Sequence, residues 1–136
     1  MEHEANSKLL QRLLAACNEG SQGAIRLAHR TDVAPLRDFL QESAQQYRRA
    51  ADEILAALQK DGQPLTANGS AVQDSTVEHD EDIVASWERT DCEALTWFRD
   101  AYDTELPSML ADTVKRHLEA GVTRLERLRR LQRRLG

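Results

Sequence analysis

Apolar and small residues recur at alternating spacings of three and four along four stretches of this chain. In the last stretch they are Ala111, Val114, Leu118, Gly121, Leu125, Leu128 and Leu135, with Gln132 the one break. This is the spacing that keeps one face of a helix against its neighbours. Leu110, Val122 and Leu131 flank the stripe and widen it beyond a two-stranded seam. The pattern predicts a helix over 107–135, roughly 43 Å long at helical rise. A helix of that kind needs partners of similar length to persist in water.

The other three stretches supply them. A helix is predicted over 7–29, with Leu10, Leu13, Cys17, Gly20, Ala24 and Leu27 on its inner face. Gly20 and Gly23 cost helix stability and imply close approach of another backbone. A second helix, 33–59, carries Leu36, Leu40, Ser43, Tyr47, Ala50, Ile54 and Ala57, with Phe39 beside them. Thr31 and Asp32 punctuate the junction, and Pro35 suits a first helical turn. A third helix, 75–103, carries Val77, Val84, Trp87, Asp91, Ala94, Phe98 and Ala101. Ser75 to Glu78 has the form of a capping box. Glu78, Asp80, Glu81 and Asp82 then place negative charge where a helix N-terminus favours it.

The junctions near residues 30 and 105 are short, so each joins a helical hairpin. Residues 61–74 hold Gly62, Pro64, Asn68, Gly69 and Ser70 and read as a linker. Fully extended they reach about 46 Å, enough to run the length of a bundle without requiring it. The expectation is one all-α domain, a four-helix bundle of two hairpins joined by a long connection. Pro35 and Pro107 stand at matching places in the two hairpins, a faint sign of duplication.

Composition agrees with this picture. Good helix formers dominate, aromatic residues are few, and no stretch alternates as a strand would. No apolar run is long enough to span a membrane. The acidic Met1–Ala5 start lacks the features of a signal peptide, which points to a cytoplasmic protein. Cys17 and Cys92 have no metal or redox spacing and read as small buried thiols.

The net charge of −5 conceals an uneven distribution. Residues from Lys115 onward carry +6, while residues 1–114 carry −11. Arg124, Arg127, Arg130 and Arg134 form a candidate surface for an anion or an acidic partner. The same arginines suit the C-terminus of a helix. Without interleaved aromatics, and in an acidic protein, nucleic acid is not the expected partner. A homodimer is, with this basic end near an acidic surface of a second subunit.

The chain resembles a family of small bacterial ferritin-like four-helix-bundle proteins known only as a domain of unknown function. The resemblance rests on Leu13-Leu14 followed by Cys17-Asn18-Glu19-Gly20, and on Ala34-Pro35-Leu36-Arg37-Asp38-Phe39. It rests also on the run from Trp87 through Thr90, Asp91 and Cys92 to Ala94, and on Leu106-Pro107. It implies a ferritin-like antiparallel bundle in a cytoplasmic setting and no particular activity. The chain departs from the family where a glutamate often follows the glycine of helix one (here Ser21) and where helix four often has a histidine (here Leu125).

Ferritin-like bundles that hold two metal ions use Glu-x-x-His pairs on two helices. No glutamate here has a histidine three residues on. No metal ligands and no cofactor are therefore expected. The one carboxylate on any inner stripe is Asp91, and its neighbours by position include Cys17, Ser43 and Tyr47. A buried carboxylate needs a partner. A hydrogen bond from Tyr47 or from Ser43 would supply it and fix register. The other reading is a small polar pocket or a relic of a ligand position. No catalytic residue is assigned. The functional expectation is a non-catalytic bundle acting through protein binding or self-association. The alternative is a metal- or redox-linked stress protein with an atypical site.

Overall fold

In a computed structural model of the chain, residues 2–60, 79–104, 106 and 108–135 are described. They form four helices: α1, Glu2–Ala28; α2, Ala34–Lys60; α3, Asp80–Tyr102; and α4, Ser108–Leu135. There is no strand among the described residues. No helix is long and apolar enough to cross a membrane.

α1 starts five residues ahead of the expected Ser7. Residues 2–6 contain no glycine or proline, and Glu2 and Glu4 suit a first turn. α3 starts at Asp80 instead of Ser75, with His79 extended just before it and Asp80, Glu81 and Asp82 in its first turn. The capping box at 75–78, the linker 61–74, Val77 and Pro107 lie outside the described residues. Pro35 falls in the first turn of α2, where its missing N–H breaks no bond.

α1 packs on α2 and α3, and α4 packs on the same two helices. Side-chain contacts join these neighbours. On α2 and α4, Gln46 meets Arg124 and Glu53 meets His117. On α1 and α3, Arg12 lies over the Trp97 ring at 5.1 Å. Thr31, just past the end of α1, donates to Asp80 at 2.7 Å, so α3 begins at the α1–α2 turn. Thr31 Oγ also accepts from the Val33 amide, capping the approach to α2.

The inner stripes of α1, α2 and α3 are buried as their spacing requires, apart from Ala57, which is half-buried. Trp87, Tyr47, Phe39 and Phe98 are the largest fully buried side chains. α4 differs. Its buried positions are Leu110, Val114, Gly121, Arg124 and Leu128, with Leu118 and Leu125 only half-buried. Val122, expected beside the seam, is exposed. The face is rotated slightly, so that position 124 points inward. Two glycines permit this packing. A Cβ on Gly20 would sit 3.0 Å from the Tyr47 ring, and one on Gly121 would overlap the Leu95 side chain. Gly23 has open space beside it, so the close approach expected there does not occur.

Candidate functional site, a buried carboxylate and arginine

Asp91 sits midway along α3 with no solvent exposure. Removing a carboxylate from water is costly, and the structure answers that cost with three donors. Arg124 Nη2 donates to Asp91 Oδ1 at 2.7 Å, and Arg124 Nε donates to Oδ2 at 3.1 Å. The Tyr47 hydroxyl donates to Oδ1 as well. The guanidinium thus grips the carboxylate with two parallel bonds, the geometry in which arginine is strongest.

Arg124 is itself 5% exposed. Its remaining Nη1 donates to Gln46 Oε1 at 2.7 Å. Its Cζ lies 4.5 Å from the centroid of the Tyr47 ring, a cation–π contact. Tyr47 in turn meets Trp87 edge-on at 5.8 Å between centroids. Side chains from α2, α3 and α4 therefore close on one another at mid-bundle, with Gly20 of α1 flat against the Tyr47 ring. The Trp87 Nε1 atom is buried without a hydrogen-bond partner among the described residues.

The electrostatics follow from burial and from this pairing. Burial raises the Tyr47 pKa well above 10; Arg124 opposes the shift and Asp91 reinforces it. Burial works against charge on Arg124, but Tyr47 and Asp91 outweigh it and raise its pKa. Cys17, fully buried, has its thiol pushed up to about 12 by desolvation, with Arg124 pulling the other way. Cys92, expected to be buried as well, is exposed, because it lies one residue past the inward Asp91 on α3. The Arg124 guanidinium therefore stays cationic at neutral pH, while the Tyr47 phenol and the Cys17 thiol stay protonated. The cluster offers no thiolate and no phenolate, and its carboxylate accepts three hydrogen bonds, two on Oδ1 and one on Oδ2.

The residues singled out by pattern fare differently. Asp91, Tyr47 and Cys17 come together in the core. Ser43 does not join them: its hydroxyl donates to Phe39 O one turn back on α2, at 2.8 Å, so Tyr47 alone of the two expected partners reaches Asp91. Arg124 overturns its assignment to the basic surface, because the rotation of α4 turns it inward to Asp91. Arg127, Arg130 and Arg134 stay outside. With Pro35, Asp38, Phe39 and Leu131 they line a groove of about 350 Å³ between the start of α2 and the end of α4. Arg127 pairs with Glu42 at 3.0 Å and lies over the Phe39 ring at 5.6 Å.

Two polar partners had no signal in the apolar stripes. Gln46 precedes Tyr47 on α2, beside the expected face. His117, next to Leu118, donates from Nε2 to the Glu53 carboxylate at 2.8 Å, with Arg116 also on Glu53 at 3.3 Å. One signal did exist for Arg124. It follows Gly121 by three residues and precedes Leu128 by four, which places it on the buried face.

Among the described residues, no three His, Cys, Asp or Glu side chains are grouped to hold a metal ion. The donor set around Asp91 is cationic and phenolic, which does not fit the carboxylate and imidazole cage of a di-metal bundle. The chain matches no protein-family model and no curated protein.

Proposed function

We propose that this chain is a ferritin-like, antiparallel four-helix bundle of two hairpins that has no catalytic centre and acts by binding protein, first of all a second copy of itself. The observation that carries this reading is the engagement of Asp91. Both of its oxygens are bonded to Arg124, and one also to Tyr47. A guanidinium thus holds the one carboxylate of the inner stripes, at mid-bundle. The opposed numbering of partners on α2 with α4, and on α1 with α3, supports the antiparallel arrangement. The resemblance to bacterial ferritin-like bundles brings a cytoplasmic setting with it. Self-association is supported by the uneven charge, −11 over residues 1–114 against +6 beyond.

Two measurements on the purified chain test the proposal. Light scattering across a concentration series is expected to show a homodimer. Elemental analysis of protein prepared without chelator is expected to show no stoichiometric iron, manganese or zinc. One or two metal ions per chain, lost in Asp91→Asn, would replace this reading with a metal- or redox-linked function. A monomer at every concentration would remove self-association.

A further inference from the structure

The α1–α2 turn gathers two features of opposite charge at one end of the bundle. The first is the groove of Arg127, Arg130 and Arg134, which reaches Pro35 at the start of α2. The second is the start of α3, fixed to the same turn by the bond from Thr31 to Asp80. Glu81 and Asp82 follow Asp80 and are exposed, as are Arg130 and Arg134. None of these four has an ion pair among the described residues. The arginines of the groove face α2, whereas the acidic turn belongs to α3 across the bundle.

We propose that a second copy of this chain docks at this end, with Glu81 and Asp82 of each protomer entering the arginine groove of its partner. The inference rests on the self-association proposed above and names its contact. An acidic and a basic patch at the same end of one chain are self-complementary about a two-fold axis, so each contact is made twice and the assembly closes as a dimer. Complementary exposed charge of this kind governs encounter and register.

The groove suits spaced carboxylates better than a compact phosphate. Arg127 is already held by Glu42, and Asp38 lines the groove. A phosphate dianion needs several donors to converge, and both carboxylates oppose its concentrated charge more strongly than the single charge of one carboxylate. Glu81 and Asp82 project about 100° apart from a partner's first helical turn, so each would meet an arginine separately rather than as one compact anion.

The test uses the full chain and sedimentation equilibrium at low and high salt. The variants are Arg130→Glu with Arg134→Glu, Glu81→Arg with Asp82→Arg, and an equimolar mixture of the two. Circular dichroism checks that these surface changes leave the fold intact. Each charge-reversed variant is expected to weaken self-association about tenfold or more, and the mixture to restore it as a heterodimer. Raised salt is expected to weaken the wild-type dimer. A wild-type dimer that both reversals leave unchanged, or weakening that mixing does not reverse, overturns this contact while self-association stands. A wild-type chain that stays monomeric overturns both. Titration with inorganic phosphate, saturating in the wild type and lost in the arginine variant, would assign the groove to a phosphate ligand instead.

Discussion

α4 carries two polar clusters, one turn-pair apart, that use similar chemistry in different surroundings. Around Arg124 and Asp91 the side chains are 5% and 0% exposed. Around Glu53, the His117 side chain is 11% exposed, Glu53 30% and Arg116 62%. Each ties α4 to another helix through a carboxylate. In the first, water cannot replace a lost partner, so removing one charge strands the other. In the second, water stands ready on at least one side. The contacts look alike, and their energetic consequences differ because the alternatives to them differ.

The largest expected effect tests the buried cluster. Asp91→Asn keeps a hydrogen-bonding group but removes the charge facing Arg124, and is expected to destabilise the fold by about 3–5 kcal/mol in urea unfolding. Arg124→Ala should cost about as much. The double change Asp91→Leu with Arg124→Met should recover much of that loss, since a well-packed apolar pair can replace a buried ion pair. If Asp91→Asn unfolds like the wild type, the two clusters are energetically equivalent and the contrast collapses.

Gly121→Ala attacks the same cluster by steric means. The new Cβ would overlap Leu95 and press on Arg124 Nη2, 3.2 Å away. A loss of about 1–3 kcal/mol is expected. Tyr47→Phe removes one of the three donors and should cost about 1 kcal/mol, with the Asp91–Arg124 grip remaining.

The smallest effect belongs to Glu53. Glu53→Gln should change stability by less than about 1 kcal/mol, as partly exposed pairs do. Its pH dependence carries a definite sign. Partial burial raises the Glu53 pKa, but the hydrogen bond and charge of His117, then Arg116, outweigh it and leave the pKa below 4.5. The folded state thus binds the Glu53 proton less readily than the unfolded one. Its contribution is complete above about pH 4.5 and is lost as pH falls through the lower, folded value. The wild type minus Glu53→Gln difference in Tm should therefore shrink on acidification below pH 4.5. A difference that grows there would refute the assignment.

Most of the bundle was legible in the apolar spacing, because Leu13, Leu40, Trp87 and Phe98 each sit where a period of three and four puts them. Asp91 stood out for the complementary reason, as a charge on an apolar face. Arg124 escaped because a search by apolarity passes over arginine, and Leu125 beside it filled the expected position. A one-residue displacement along a helix is a rotation of about 100°, enough to exchange an inward side chain for one at the margin. The direction of α3 was likewise open, since a linker of that length permits either course. The Thr31–Asp80 contact places its start. The partner of Asp91 therefore depended on how the four helices pack, which no single stripe encodes.

The clasp on Tyr47 also bears on time. Its ring packs against Gly20 and against Arg124, with the Trp87 ring nearly perpendicular alongside. Half-turns of an aromatic ring demand transient free volume, and here the walls are a main chain and a tethered guanidinium. The two sides of the ring should exchange slowly enough to give separate ortho and separate meta proton resonances near room temperature. Releasing Arg124 should merge them, which makes a single ring a stopwatch for how often this bundle breathes.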